Sequence, residues 1–261
     1  MTPEEADSPT WTPDEDQYPG ELTATYEILE CLSALAETQT LLALNRKTQE
    51  CVVVKCYRRG TATFDQSEPP GTRELPAPLP RFVAEYRNVG MYCVIREYIP
   101  GYTLAEIART HRYTKGDVLR IGILICEQLE LLHEMHPPII HCDIKPQNVV
   151  VRPDRTVVLI DFGVAQAFTG TAETAAAYGT IGFAPPEQYG FSTPDARSDI
   201  YSLGILMRWL LTGKVGPLTE PKTDLEGIIA RCTALDPARR WQNAQELFRV
   251  LNTTLDNSIQ K

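Results

Sequence analysis

His141-Cys142-Asp143-Ile144-Lys145-Pro146-Gln147-Asn148 is followed, thirteen residues after Asn148, by Asp161-Phe162-Gly163. The two segments hold an acid, a lysine two residues beyond it and two potential metal ligands, in short loops joined by apolar strands. Moving a phosphoryl group asks for such a set: a carboxylate for the attacking hydroxyl, cations for the charge on phosphate, and oxygens for a hard metal ion.

The elements around these loops can be read from periodicity. Short β-type runs occur at Tyr26 to Leu32, Thr40 to Leu44 and Cys51 to Tyr57, the last two joined by the polar turn Asn45 to Gln49. Prolines at 69, 70, 76, 78 and 80 exclude a long helix from residues 58 to 80. Strands resume at Arg81 to Tyr86 and Met91 to Tyr98. Beyond Gly101 the period becomes helical. Asp117 is expected to cap a helix that presents Leu119, Ile123, Cys126, Leu129 and Leu132 and runs to about His136. Strands are expected at Val149 to Val151 and Val157 to Ile160, around the Pro153-Asp154 turn. Helices are expected over Asp199 to Leu211, Leu225 to Ala234 and Ala244 to Leu255. The fold class is therefore α+β, with a small β-rich lobe over residues 21 to 99 and a mainly helical lobe over 100 to 256, followed by a short tail at 257 to 261.

Composition narrows the setting. The chain has 261 residues and a formal charge of −9, which argues against nucleic acid or an anionic membrane as the main partner. Residues 1 to 20 carry six of the acids, four prolines and no Lys or Arg, so they read as a disordered leader. Trp11 and Tyr18 suggest a docking or autoinhibitory alternative for this leader. The seven cysteines form no CxxC pair, and most sit in apolar runs, so a reducing compartment is expected. With no apolar stretch of membrane-spanning length and no basic-then-apolar leader, the expected location is cytoplasmic.

In element order and motifs the chain resembles the eukaryotic-like protein kinases over roughly residues 21 to 256. Asp143-Ile144-Lys145-Pro146-Gln147-Asn148 is similar to the Ser/Thr class. Gly179 to Gly190 and Ser198-Asp199-Ile200-Tyr201-Ser202-Leu203-Gly204 resemble the bacterial Ser/Thr kinases. The resemblance implies an ATP- and Mg²⁺-dependent kinase (Mn²⁺ being an alternative metal) that phosphorylates hydroxyls of a protein substrate. Asp143 matches the position that orients the hydroxyl and takes its proton, and Lys145 the one that offsets phosphoryl charge. Asn148 and Asp161 match the metal ligands. Lys55 matches the strand lysine that grips nucleotide phosphates, Val53 and Val150 the adenine sandwich, and the backbone of Glu97 and Ile99 the adenine edge. Asp199 is expected to hold the catalytic loop, and Arg240 to form a buried ion pair with Glu187.

The chain departs from the family pattern in its upper half. Ser33 to Thr40 falls where the family has GxGxxGxV and contains no glycine. The helix that offers a Glu to Lys55 is reduced or missing, leaving Glu68 and Glu74 as local candidates. Arg96 stands where an apolar residue normally guards the adenine pocket. Cys142 replaces the Arg before the catalytic Asp, and residues 161 to 187 contain no Lys or Arg. Phosphorylation of Thr169, Thr171, Thr174 or Thr180 is therefore not expected to be an on-switch. Only Lys214 to Thr223 separates two C-terminal helices, so the substrate-docking region is trimmed. The leading expectation is an active Ser/Thr protein kinase. The alternatives are a pseudokinase that scaffolds or regulates a partner, and a kinase-fold enzyme with a small-molecule acceptor.

Overall fold

The computed structural model describes residues 13–61, 69–167, 179–190 and 193–259. They form two compact units. One comprises the described part of Met1–Ser67 with Arg73–Leu75 and Pro80–Tyr98, and the other the described parts of Glu68–Thr72 and Ile99–Lys261 with Pro76–Leu79.

The first unit opens with a 3₁₀ turn (Glu15–Gln17) and the short helix α1 (Gly20–Thr25) and continues into five strands: β1 (Tyr26–Ala34), β2 (Thr38–Asn45), β3 (Cys51–Arg58), β4 (Phe82–Arg87) and β5 (Met91–Glu97). They form one sheet in the order β1-β2-β3-β5-β4, antiparallel throughout. Side-chain alternation divides β3 between the two faces. Val52, Val54 and Cys56 point to one, together with Met91, Cys93 and Ile95 of β5. Tyr18, Leu22 and Tyr26 complete that buried cluster. Val53, Lys55 and Tyr57 point to the other, where Tyr57 packs with Tyr92 and Val94.

Residues 13–20, which composition placed in a disordered leader, have a place on the sheet. Tyr18 and Leu22 are buried, and the Tyr18 hydroxyl donates to Gln39 Oε1 at 2.5 Å. Asn88 Nδ2 donates to the Gln17 carbonyl at 2.8 Å. Two aromatic rings and a leucine supply the apolar area that repays ordering. Residues 1–12, with Trp11, lie outside the described residues, as does Glu68. Among the described residues between β3 and β4, the helical element is the 3₁₀ turn Pro70–Glu74.

The second unit contains β6 (Tyr102–Thr103), α2 (Leu104–Ile107), α3 (Lys115–His133), β7 (Ile139–Ile140), β8 (Val149–Val151), β9 (Val157–Leu159), β10 (Gln166–Ala167), α4 (Ala196–Thr212), α5 (Asp224–Cys232) and α6 (Ala244–Ile259). The α3 helix buries Val118, Leu119, Ile121, Ile125, Cys126, Leu129 and Leu132. Its cap is Thr114 rather than Asp117. Thr114 Oγ1 accepts from the Asp117 N–H at 3.2 Å, and Asp117 Oδ2 accepts from the Thr114 N–H at 2.8 Å. This reciprocal box places the acid at the third helical position. Asp195 caps α4 in the same manner, and Gly213 ends it with a left-handed φ of 69°. Among the described residues no helix is long and apolar enough to cross a membrane.

Candidate active site

The loop between β7 and β8 carries Asp143, Lys145 and Asn148, and it is anchored from behind. Asp199, fully buried on α4, accepts the His141 N–H at Oδ2 and the Cys142 N–H at Oδ1, both at 2.9 Å. His133 Nε2 lies 2.9 Å from the same Oδ2, and since a carboxylate only accepts, this nitrogen carries the proton. Gln188 Nε2 donates to the Cys142 carbonyl at 2.7 Å. Cys142 itself sits at φ 64°, a left-handed conformation that a Cβ disfavours, and is buried with Ile140 against Val164 and Ala196.

His141 ties the two loops together. Its Nδ1 accepts the Asp143 N–H at 3.3 Å, so Nε2 is the protonated nitrogen and donates to the Ile160 carbonyl at 3.2 Å. Its ring lies 4.9 Å from that of the buried Phe162. Ile160 immediately precedes Asp161, so one imidazole sets the spacing of both acid-bearing loops.

Three donors hold the Asp143 carboxylate. Thr180 Oγ1 donates to Oδ1 at 2.7 Å, and Asn148 Nδ2 and Lys145 Nζ lie 2.8 Å from Oδ2. Lys145 Nζ also donates to Thr180 Oγ1 at 2.8 Å, closing a ring of Asp143, Lys145 and Thr180. Because Asn148 spends its amide N–H groups on the Asp143 carbonyl and carboxylate, its Oδ1 is turned away as an acceptor. Asp161 sits at φ 66°, and its Oδ1 accepts the Gly163 N–H at 3.1 Å.

Among the described residues no cluster of three or more His, Cys, Asp or Glu side chains gathers as a metal cage. Asn148 Oδ1 and the Asp161 carboxylate are nonetheless the hard oxygen donors that Mg²⁺ accepts beside phosphate and water.

Beyond the loops, Ile99 packs with Val150 and Val158, and Ile160 flanks them. Gly101 permits the close turn here, since a Cβ would stand 2.2 Å from the Val151 carbonyl oxygen.

In the sheet unit, Val53 and Arg96 are directly opposed, as are Lys55 and Val94, so Val53, Lys55 and Arg96 share one face. Lys55 Nζ stands 5.8 Å over the Tyr57 ring. Arg96 is buried and donates from Nη1 to the Pro80 carbonyl at 3.1 Å. Glu97 gives its N–H to the Arg81 carbonyl at 2.9 Å. Glu74 is exposed, and its neighbour Arg73 pairs with Glu85. The glycine-free turn between β1 and β2 is closed by the Leu35 N–H donating to the Thr38 carbonyl at 2.8 Å.

One residue that builds the site, Gln128, lies in no motif, and another, Gln188, gains its contact only in the fold. Gln128 on α3 takes the Leu159 N–H at 2.9 Å and gives to the Val157 carbonyl at 2.8 Å, fixing β9 from the helix. A polar residue on the apolar face of α3 is the signal that could have found it. Gln188 has a comparable duty and follows Glu187 directly. Glu187 accepts Arg240 Nη1 at 2.6 Å and Nη2 at 3.0 Å, with both side chains buried.

The chain is 30% identical over 192 residues to the serine/threonine-protein kinase PknB of Mycolicibacterium smegmatis, covering 63% of this chain and 30% of that protein. It is 30% identical over 181 residues to PknB of Mycobacterium leprae, covering 59% and 29%. It is 36% identical over 148 residues to the serine/threonine-protein kinase B of Synechocystis, covering 52% and 25%. The chain thus spans about 30% or less of the length of these curated relatives. A family model described as the protein kinase domain matches residues 37–256. With its five-stranded antiparallel sheet, its helical second unit and its two acid-bearing loops, the chain belongs to the protein kinase domain family.

Proposed function

We propose that the chain is an ATP-dependent Ser/Thr protein kinase. The observation that carries this reading is the Asp143 carboxylate, held by Thr180, Asn148 and Lys145 in a loop that Asp199 anchors. A substrate hydroxyl approaching Asp143 is oriented by it and passes it a proton as the oxygen bonds to the γ-phosphorus and the bond to the leaving ADP oxygen breaks. Lys145 offsets part of the charge on the transferring group. Lys55 grips the nucleotide phosphates, Val53 and Val150 enclose the adenine, and the backbone of Glu97 and Ile99 meets its edge. Asn148 and Asp161 would hold Mg²⁺, which when bound neutralises phosphate charge. A protein hydroxyl as acceptor and a cytoplasmic location complete the reading.

Activation-loop phosphorylation is not its switch. Cys142 is buried and has no charge to offer a phosphate. Thr169, Thr171 and Thr174 lie outside the described residues, and Thr180 is already engaged with Asp143 and Lys145. Alanine at Thr169, Thr171 or Thr174, one at a time, should leave activity intact; a large loss at any of them would refute this part.

The central experiment is transfer of radiolabel from γ-labelled ATP to a generic protein acceptor. The wild-type chain should label it, and Asp143→Asn and Asp161→Asn should not. A second reading, a pseudokinase that holds nucleotide weakly and regulates a partner, is favoured by the closed, glycine-free turn at Leu35 to Thr38. Under that reading no label transfers with Mg²⁺ or Mn²⁺, and ATP leaves the melting temperature unmoved.

A further inference from the structure

Cys56 and Cys93 play no part in the chemistry above, yet the sheet holds them together. They are directly opposed on the antiparallel strands β3 and β5. Directly opposed residues in such a ladder have Cα atoms about 4.5 or 5.5 Å apart, and both spacings fall within the roughly 4.4–6.8 Å that a disulfide spans. Their side chains also point at one another, with the sulfurs 2.8 Å apart. That is nearer than two unbonded sulfur atoms sit comfortably, and a disulfide bond of about 2.05 Å needs only a small further approach. Both thiols are fully buried, in the cluster that Tyr18 and Leu22 close.

We propose that Cys56 and Cys93 are a modification site, a thiol pair that a hydroperoxide converts to a cross-strand disulfide. One sulfur attacks a peroxide oxygen, the O–O bond breaks, and a sulfenic acid and water form. The other sulfur attacks the sulfenic sulfur, the S–S bond forms, and hydroxide leaves with the second thiol proton as water. The pair gives up two electrons and two protons, and hydrogen peroxide becomes two waters.

Burial sets the pace of this reaction. It pushes the Cys56 thiol well above its ordinary range, and the bond with Cys93 adds to the rise, so little thiolate forms while the face is covered. The residues of α1 and Tyr18 must lift before the peroxide arrives. Once formed, the bond welds the strand bearing Lys55 to the strand bearing Glu97, on the face opposite Lys55. This inference does not depend on the kinase activity of the chain.

The test treats the native wild-type protein with hydrogen peroxide, blocks remaining thiols with an alkylating reagent and maps peptides without reduction. The expected result is a linked peptide joining Cys56 to Cys93, lost on treatment with dithiothreitol. The oxidised protein should also melt at a higher temperature than the reduced one. Recovery of both cysteines as separate alkylated peptides after the exposed Cys31 and Cys51 have been oxidised would overturn the proposal. So would linkage of either one to Cys31 instead, or their conversion to sulfinic acids. In Cys93→Ala the peroxide-induced rise in melting temperature should disappear. If that variant does not fold, the wild-type map alone decides.

Discussion

At the scale of single residues, Thr180 is held at both ends, giving its hydroxyl proton to Asp143 and accepting one from Lys145. Thr180→Ser keeps that hydroxyl and should keep most activity. Thr180→Val keeps the shape and loses it, and label transfer should fall by about 10² or more while the melting temperature barely moves. Asp199 is a sharper case. Both its oxygens accept backbone N–H groups, so an amide in Asp199→Asn must turn its NH₂ toward a donor. A loss of about 1–3 kcal/mol in denaturant unfolding is expected, together with loss of activity as the loop relaxes. Parity between Asp199→Asn and wild type in both measurements would remove Asp199 from the account. Asp143, Lys145, Asn148 and Asp161 stood out in the sequence as candidates because each lies in a contiguous motif of fixed spacing. Gln128 did not, since a lone glutamine acquires its duty only when distant backbone groups are folded against it.

At the scale of elements, the strands and long helices follow from periodicity, and the errors fall where local chemistry competes with it. Asp117 has the right side chain for a cap, but Thr114 three residues earlier takes the cap and leaves Asp117 the reciprocal bond. Thr114→Ala should cost about 1 kcal/mol in unfolding experiments. The missed helix α1 is six residues long, too short for a periodic signal, and begins at Gly20 amid acids and prolines. Its place is set by tertiary contact. Leu22→Ala, fully buried in the sheet-face cluster, should cost about 2–5 kcal/mol, whereas alanine at an exposed position of an ordinary disordered leader would cost nothing measurable.

At the scale of the whole molecule, acid should be the condition that undoes the fold. Burial raises the pKa of Asp195, but bonds from Arg197 outweigh it, and the group lies below its ordinary value. Burial likewise raises Glu85, and Arg73, Tyr92 and Arg87 bring it below its usual range; in Asp117 the bonds with Thr114 do the same. Carboxylates held low in the folded state stabilise it above their unfolded values, near pH 4, and that contribution is lost as pH falls through the lowered ones. Melting temperature should therefore stay level on this account from neutrality to about pH 5 and fall below about pH 4; a level profile to pH 2 would exclude these groups as contributors. The covering of the sheet by α1 also bears on the order of events during synthesis. The helix is translated before β1 to β5, but Met91, Cys93 and Ile95 of its cluster belong to β5, the last strand of the sheet to be made. On the ribosome the cluster that Leu22 of the helix enters, with its neighbours Tyr18 and Tyr26, stays incomplete until β5 has paired with β3. The segment made earliest among these elements then has its burial completed only with the last strand, and for that interval the growing chain presents an incompletely covered apolar face to chaperones.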